Sequence, residues 1–251
     1  DILWQNQVSG DLYVWYLIGA VTSTAAYTNP KGFSSTTWQI RGLTDLNDDG
    51  KVDIFWQNIS TGDLYVWFLD TAGTVTGGSY LTPSKFADTN WRVSGLVDFN
   101  GDGDEDILWR NAASGQMYIW YMDNLVVSGA SYLKNADGTI ASLPGTTWEI
   151  RGLADLDGDT KADMLWRNNT TGDLYVWFLD GPRVVGAGYL TPSKLADPNW
   201  KIVRLADFNA DGRADILWHN VMGGDLYVWF MNGTVQTSAS YLTPNKFADT
   251  T

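Results

Sequence analysis

The sequence predicts an all-β fold made of repeated, four-stranded antiparallel units, and three observations carry this prediction. The string Asp-hydrophobic-hydrophobic-Trp occurs five times, at steps of 52, 53, 57 and 52 residues. A Tyr-hydrophobic-Trp string follows every copy after a Gly-containing turn, and a third Trp follows four of the copies. All fourteen tryptophans therefore occupy repeat positions. Recurrence at this period is typical of a repeat architecture.

Each unit has the pattern of short strands. Residues 64–69 are almost wholly apolar and rich in aromatic and β-branched types, which predicts a strand buried on both faces. A strand over 54–57 precedes it, and residues 61–63 form a hairpin turn between the two. We expect a third strand near 79–81 and a fourth over 91–97, with minimal helix.

Four short antiparallel strands in every ~50 residues predict the blades of a β-propeller. The repeats begin at about 1, 53, 106, 163 and 215, and we expect residues 1–251 to form one propeller domain with five repeats. The alternative is that these repeats are part of a larger ring, for example one with seven blades. The pattern stops just before a fifth copy of the fourth strand, so we expect either a nicked ring or a longer natural protein.

Charge and composition exclude several classes of protein. The chain has 29 acidic and 16 basic side chains, and a net charge of −13 disfavours binding to nucleic acid. No apolar run approaches the ~20 residues of a membrane helix, so we expect no membrane span. There is no Cys, which excludes a disulfide framework and a thiolate metal site. Only Glu105 and Glu149 are Glu, and the remaining acidic residues are Asp, which suits tight turns and hard cations.

A nine-residue acidic segment precedes each of the last four Asp-hydrophobic-hydrophobic-Trp strings. Oxygen-bearing side chains occupy positions one, three, five and nine in every copy, and position seven would offer its backbone carbonyl. In chain order these positions are Asp45, Asn47, Asp49, Lys51 and Asp53; Asp98, Asn100, Asp102, Asp104 and Asp106; Asp155, Asp157, Asp159, Lys161 and Asp163; and Asp207, Asn209, Asp211, Arg213 and Asp215. Ca²⁺ takes six to eight oxygen ligands, which alternate residues of a tight loop can supply. We predict about one Ca²⁺ for each complete loop, four in this chain.

The loops differ from the helix-loop-helix type of calcium site. That type places a bidentate Glu at position twelve, where this chain has Trp, so each loop leads into a strand. Position six, where the chain turns sharply, is Gly in the first, second and fourth loops and Thr160 in the third loop. We expect this departure from Gly to strain or weaken the third site. Extracellular calcium modules bind at about 0.1–1 mM, so sites of this kind favour an extracellular, secreted or cell-surface location.

The segment over residues 98–103, leading into Asp106-Ile107-Leu108-Trp109, resembles the FG-GAP-like or VCBS repeats of secreted bacterial proteins. These repeats are similar to the calcium-bearing blades of integrin α-subunit propellers and of a fungal integrin-like propeller lectin. The resemblance covers essentially the whole chain, and it implies a β-propeller, calcium in blade loops, and roles in adhesion or glycan binding. The chain lacks the Phe-Gly and Gly-Ala-Pro elements of the integrin version, so the resemblance implies no integrin-type partner.

No reaction centre is predicted. His219 is the single His, Cys is absent, and no nucleophile lies in a recognisable activating motif. We therefore expect a binding protein and not an enzyme.

One polar position varies between the copies and is the candidate ligand contact. It directly follows the first Trp of each repeat and is occupied by Gln5, Gln57, Arg110, Arg167 and His219. Planar polar groups beside aromatic rings suit sugar hydroxyls and sugar faces. The alternative is a strand end that emerges into solvent. The expected partner is a glycan or cell-surface glycoconjugate, and the alternative is a protein partner of an adhesion module in a larger secreted or surface protein.

Overall fold

The computed structural model describes residues 2–6, 8–18, 21–33, 35–144 and 147–246. Across these ranges the chain forms nineteen β-strands and no helix, and so contains no helix that could span a membrane. The strands are β1 (Ile2–Gln5), β2 (Leu12–Ile18), β3 (Val21–Tyr27), β4 (Trp38–Thr44), β5 (Asp53–Asn58), β6 (Asp63–Leu69), β7 (Val75–Lys85), β8 (Trp91–Val97), β9 (Asp106–Asn111), β10 (Met117–Asp123), β11 (Val126–Tyr132), β12 (Trp148–Ala154), β13 (Asp163–Asn168), β14 (Asp173–Asp180), β15 (Arg183–Lys194), β16 (Trp200–Ala206), β17 (Asp215–Asn220), β18 (Asp225–Asn232) and β19 (Val235–Lys246). The all-β prediction is confirmed.

Four-stranded antiparallel blades are the building units, as predicted. In the blade of β4 to β7, the first pair runs from Trp38↔Asn58 to Thr44↔Asp53, and β5–β6 and β6–β7 follow in order. The same strand order holds for β8 to β11, β12 to β15 and β16 to β19, and β1 to β3 form a three-stranded sheet. Each acidic segment is therefore a hairpin loop between the first and second strands of one blade.

The hydrogen bonding corrects the expected grouping of the strands. The sequence analysis took 91–97 as the fourth strand of the preceding repeat, but β8 lies beside β9 and so opens the next blade. The hydrogen-bonded blades begin at Trp38, Trp91, Trp148 and Trp200. Antiparallel strands joined by a short hairpin pair with each other, and the acidic loop is such a connection.

The first strand of three blades contains a bulge. The register shifts between Ile40 and Gly42 in β4, and the same shift occurs in β12 and β16. The residues passed over are Arg41, Arg151 and Val203. A bulge of this kind re-aims the side chain of the extra residue.

The core lies along the second strands. Residues 53–57 of β5 are all buried, and the first Trp of each of the four complete blades is 0% exposed. In two blades, a Phe from the preceding repeat packs into the aromatic cluster. Phe33 packs on Trp38 and Trp67. Phe86 likewise stacks on Trp91 and Trp120, with centroids 5.2 and 5.3 Å away. Burial of such rings is the main driving force for packing here.

The chain divides into two compact units. The first comprises residues 1–96, 102–111 and 120–130, and the second comprises 97–101, 112–119 and 131–251. Within the first unit, a single parallel bridge at Val126↔Thr82 joins β11 to β7. Within the second, a single parallel bridge at Thr191↔Val235 joins β15 to β19. These two bridges link pairs of blades into the two eight-stranded sheets. Two further isolated parallel bridges, Asn29↔Thr74 and Lys134↔Arg183, lie outside this strand pairing.

Candidate calcium loops and ligand surfaces

The acidic loops are built from a repeated set of side chain to backbone hydrogen bonds. In the first loop, the N–H of Asp49 donates to Asn47 Oδ1 at 3.0 Å, and the N–H of Lys51 donates to Asp49 Oδ1 at 2.9 Å. The third and fourth loops repeat both bonds with the residues at positions three, five and seven. Asp and Asn favour such turns because their short side chains reach the backbone two residues on. The loops therefore hold alternate oxygen-bearing side chains on one short, curved segment.

Position one closes each of these loops. Asp45 Oδ2 accepts the N–H of Gly50 at 2.7 Å, and Asp207 Oδ2 accepts the N–H of Gly212 at 2.8 Å. Backbone N–H groups of its own loop, that of Gly212 first, hold the pKa of Asp207 below its usual value. The residue at position six has a positive φ, +80° at Gly50 and +84° at Gly212. The carboxylate of Asp207 is thus held in the charged form that a cation requires.

Thr160 adopts the conformation that glycine has in the other loops. Its φ is +69°, although β-branched side chains rarely enter this left-handed region. Its N–H still donates to Asp155 Oδ2, at 2.7 Å. The loop geometry is thus kept at the cost of backbone strain. No observation tests the predicted weakening of the cation site.

The third loop brings three carboxylates together. Oxygen atoms of Asp155, Asp157 and Asp159 lie within 4.8 Å of one another, and no other group of three His, Cys, Asp or Glu residues does so in the described part of the chain. The other loops carry Asn at position three, so they offer an amide oxygen in place of the third carboxylate. An all-oxygen set at this spacing fits a hard divalent cation.

Position nine has a different environment from the other predicted ligands. Asp163 is 1% exposed; its Oδ2 accepts the N–H of Leu156 at 3.0 Å and its Oδ1 accepts the N–H of Leu179 at 3.1 Å. Burial raises the pKa of Asp163 to about 6, although these two N–H groups act in the opposite direction. The structure does not bring Asp163 into the group formed by positions one, three and five. This residue fastens the loop to the third strand of its blade.

The other loops use the residue at position nine in the same way. Asp215 accepts from Phe208 and Met231 at 3.0 and 2.8 Å. Asp53 Oδ2 accepts the N–H of Leu46 at 3.1 Å, and Asp106 Oδ1 accepts the N–H of Met122 at 3.0 Å. All four residues are predicted from the sequence as cation ligands, and their hydrogen bonds to the backbone are a structural role that the sequence pattern does not show. Each carboxylate oxygen has a further lone pair, so ligation by position nine stays a prediction.

The second loop is divided between the two compact units. In residues 97–101, Asp98 Oδ1 accepts the N–H of Gly101 at 2.6 Å and that of Asn100 at 3.2 Å. In residues 102–111, Asp102 Oδ1 accepts the N–H of Asp104 at 3.0 Å. Each half therefore has the hydrogen bonding seen in the corresponding part of the other loops.

The side chains at position seven interact with neighbouring acidic groups. Lys51 Nζ lies 3.1 Å from Asp49 Oδ2, and Lys161 Nζ lies 2.9 Å from Asp180 Oδ1. These groups are exposed, so each pair contributes little to stability. Arg213 Nε donates to the backbone carbonyl of Asp157 at 3.4 Å, which brings the fourth loop close to the third within the second unit.

The predicted ligand contact after the first Trp is wrong for Gln57. This side chain is fully buried, and its Nε2 donates to the carbonyl of Trp91 at 3.2 Å. Arg167 is 5% exposed and donates to the carbonyls of Trp200 and Leu195. Both residues join the second strand of one blade to the next blade, since Trp91 and Trp200 open the following blades. The fully buried Gln57 is therefore not free to contact a surface glycan. Arg167 lines a cavity, so ligand binding by this residue stays a prediction.

The remaining members of this set are half-buried. They are Gln5, Arg110 and His219. Gln5 lies opposite Leu12 and His219 opposite Lys201 in their sheets. For these three, ligand binding stays a prediction.

Sequence reasoning missed a repeated pair of tyrosines. In each four-stranded blade a Tyr of the third strand packs edge-on or tilted against the outer Tyr of the fourth, and β2 and β3 of the three-stranded sheet have the same pair, with ring centroids 4.6 to 4.8 Å apart. The outer rings are 36% to 55% exposed. The pairs are Tyr13–Tyr27, Tyr65–Tyr80, Tyr118–Tyr132, Tyr175–Tyr189 and Tyr227–Tyr241. The signal was available, because these outer tyrosines precede a buried residue in a strand, and alternation turns them outward.

Comparisons with known proteins identify the repeats. A family model described as an FG-GAP-like repeat matches the chain three times, over residues 45–109, 98–166 and 155–218. No curated protein matches significantly.

Several solved structures align with the chain at low sequence identity. A streptogramin B lyase structure is 14% identical with a TM-score of 0.44, and the alignment covers 81% of this chain and 68% of that one. A Dos1 propeller is 12% identical with a TM-score of 0.42 over 94% of this chain, which spans 56% of that protein. Virginiamycin B lyase from Staphylococcus aureus is 10% identical with a TM-score of 0.42, over 99% of this chain and 70% of that one. Alignments of this quality do not transfer a function.

Proposed function

The chain belongs to the FG-GAP-like repeat family, and from this premise we propose that it is a calcium-stabilised extracellular module that binds glycans or cell-surface glycoconjugates. At the coarser level, it is a β-propeller repeat protein, which is a general binding and interaction module. The observation that carries the finer proposal is the exposed tyrosine pair repeated in every blade.

A half-exposed tyrosine suits a sugar for two reasons. The ring offers an apolar face on which the C–H side of a pyranose stacks, and the hydroxyl offers a hydrogen bond at its edge. Tyr65 lies directly opposite Tyr80 in the sheet, and Tyr175 lies opposite Tyr189 in the same way, so each outer ring has a rigid support. Five such pairs on one chain would act together, because multivalent contact raises the overall affinity of weak sites.

Calcium in the acidic loops is the stabilising part of the proposal. The convergent oxygens of Asp155, Asp157 and Asp159 support it, together with the matching hydrogen bonds of the first and fourth loops. Like charges held this close repel one another, and a divalent cation would remove that repulsion. Sites that bind at about 0.1–1 mM fill in extracellular fluid, which is the support for an extracellular location.

We propose binding without catalysis. The chain has one His and no Cys, and the buried carboxylates at position nine accept backbone N–H groups at both oxygens in the third and fourth loops. A pair of carboxylates flanking a sugar, which glycoside hydrolysis requires, is not a feature of the tyrosine pairs.

A glycan array in the presence of Ca²⁺ tests the proposal. The five outer tyrosines are replaced together, once by Ala and once by Phe, with the exposed Val185→Ala as a control on the same face of β15. We expect V185A to bind as the parent does and the Phe variant to bind the same glycans more weakly, because the ring still stacks but the hydroxyl's hydrogen bond is lost. The Ala variant loses binding. Because it also loses five ring contacts, its melting temperature is measured and the array is run below it. Equal binding by the Ala and Phe variants would contradict the tyrosine site.

One observation favours the second candidate, a protein-interaction or adhesion module. The hairpin tip at Val221 and Met222 is apolar and 51% and 80% exposed. Exposed apolar tips of this kind contribute to protein interfaces, where Met adapts to its partner. This function would be favoured over glycan binding by two results together. The glycan array shows no binding, and the chain captures a cell-surface protein that the Met222→Ser variant does not capture.

A further inference from the structure

The contact between neighbouring blades differs between the two units at one position. This position is the neutral Gln57 in the first unit and the charged Arg167 in the second. At the junction in the first unit, the bulge residue Arg41 donates from Nε to Gln57 Oε1 at 3.1 Å. Gln57 also accepts the N–H of Val93 at 3.2 Å. This junction therefore contains a buried amide oxygen that accepts from the guanidinium.

At the corresponding junction in the second unit, the acceptor is replaced by a donor. The bulge residue is Arg151, and the residue after the Trp is Arg167, whose guanidinium has N–H groups and no acceptor. Among the described residues, Arg151 Nε is buried and has no hydrogen-bond acceptor. Arg41 Nε thus has Gln57 as its acceptor in the first unit, whereas the corresponding Arg151 Nε has no acceptor among the described residues of the second.

The two guanidiniums are fixed by other groups. Arg151 Nη2 donates to Asn169 Oδ1 at 2.8 Å and lies 2.5 Å from Glu149 Oε2. Arg167 lies over the ring of Trp218, 5.2 Å from its centroid, and uses N–H groups on the carbonyls of Trp200 and Leu195. Burial, and then the charge of Arg151, lower the pKa of Arg167. An anion between these arginines would relieve their repulsion.

A cavity of about 200 Å³ opens at this junction. Its lining residues are polar or charged, apart from one proline: Glu149, Arg151, Arg167, Asn169, Pro198 and Lys201. The lining has three cationic side chains and one carboxylate, that of Glu149, and the charge of Asp197 also acts on Arg167. The site is locally positive in a chain whose net charge is −13.

We infer that this cavity binds the carboxylate of an acidic sugar, of the hexuronate class. A carboxylate supplies the acceptor that Arg151 Nε lacks, and guanidinium forks match its geometry. Glu149, Asn169 and Lys201 provide acceptors and donors for the ring hydroxyls around that carboxylate. The lining offers little apolar surface for a hydrophobic peptide side chain. The choice of a sugar rests on the proposed function, whereas the preference for an anion rests on the cavity alone.

Calorimetric titration of the full chain in Ca²⁺ tests this inference with three probes: glucuronate, glucose and acetate. We expect glucuronate to bind at least about tenfold more tightly than glucose, from the added charge-assisted hydrogen bonds. Acetate binds more weakly than glucuronate because it lacks the hydroxyls. Equal affinity for glucuronate and glucose would overturn the inference, and equal affinity for acetate and glucuronate would overturn the sugar.

Arg167→Gln is the decisive variant, because it recreates the pair that the first unit contains. We expect it to fold, to lose the preference for glucuronate, and to bind glucose as the parent does. Lys85→Gln removes the same charge at an exposed site and leaves the preference unchanged. Asn169→Asp is the second variant: its carboxylate lies beside Arg151 and competes with the ligand, so uronate binding falls. Unchanged glucuronate binding in either variant would contradict the site.

The outcomes separate this inference from the proposed function. If neutral glycans bind through the tyrosines and glucuronate shows no preference, the cavity inference is wrong and the proposed function stands. If glucuronate binds through Arg167 while the tyrosine variants change nothing on the array, the cavity site stands and the tyrosine site is wrong.

Discussion

The Gln57 side chain lies against the backbone of Trp91, with its Nε2 donating to the Trp91 carbonyl at 3.2 Å. Its Oε1 accepts from the N–H of Val93 and from Arg41 Nε, at 3.2 and 3.1 Å. One fully buried amide therefore joins the second strand of a blade to the first strand of the next, and accepts a hydrogen bond from the half-buried Arg41 as well.

Replacing this amide should destabilise the protein. Gln57→Leu leaves the carbonyl of Trp91, the N–H of Val93 and the guanidinium of Arg41 without their partner, and we expect a loss of about 2–4 kcal/mol in the free energy of unfolding. Urea unfolding measures it. Gln39→Leu, at a half-buried position of β4, is the control and should change stability by less than about 0.5 kcal/mol. Equal effects of the two substitutions would contradict the role of Gln57.

The carboxylate at position nine should matter without any cation. Asp163→Asn turns an amide N–H₂ toward one of the two backbone donors, Leu156 or Leu179, and we expect a loss of about 2–4 kcal/mol in chelator. Asp157→Asn, in the same loop but exposed, should cost less than about 0.5 kcal/mol under those conditions. Thermal unfolding in chelator compares them. If D163N unfolds like D157N in chelator, position nine has no structural role of its own.

The strained residue of the third loop offers a stabilising substitution. Thr160 has a φ of +69°, where the other loops place glycine. Thr160→Gly relieves the steric cost of the left-handed region, and we expect a net gain of about 1 kcal/mol after the entropic cost of glycine. Denaturant unfolding with and without Ca²⁺ measures the gain. The reverse exchange, Gly212→Thr in the fourth loop, should lose a similar amount, and a stabilising G212T would refute the explanation.

The Phe86 side chain, which packs into the aromatic cluster of the next blade, should contribute strongly to stability. Phe86 stacks on Trp91 and Trp120 and contacts Trp109 with centroids 4.9 Å apart. Phe86→Ala removes these contacts and leaves a cavity, and we expect a loss of about 2–4 kcal/mol. Phe208→Ala, at a position 38% exposed, is the matched control and should lose about 1 kcal/mol or less. If Phe86→Ala lowers the free energy of unfolding no more than Phe208→Ala does, the ring contacts of Phe86 do not stabilise the protein.

The strands and hairpin loops followed from the sequence because their signals are local. Aromatic and β-branched runs mark strands such as β6, and the Asp-Gly segments mark the loops. The grouping into blades was not local: residues 91–97 could pair with the strand before or after them. Only the hydrogen bonding of β8 to β9 decides it.

Burial explains what the sequence could not reveal about the sites. Asp163 and Gln57 have side chains that suit a cation or a sugar, and their residue types gave no sign that backbone groups occupy them. Sequence alternation could have found Tyr80, which precedes the buried Leu81. The contrast between Gln57 and Arg167 was visible in the sequence, but its meaning required the position of Arg41 and Arg151 at the bulge.

Calcium titration of the metal-free protein tests the central claim most directly. The full chain is stripped with chelator, dialysed, and titrated with CaCl₂ in a calorimeter, with MgCl₂ as the control and the melting temperature recorded at each end point. The account predicts about four Ca²⁺ ions per chain, one for each acidic loop, and a rise in melting temperature. At a free concentration ~100 times the dissociation constant, each site would add about 2.7 kcal/mol. No bound calcium, and the same melting temperature with and without it, would contradict the account.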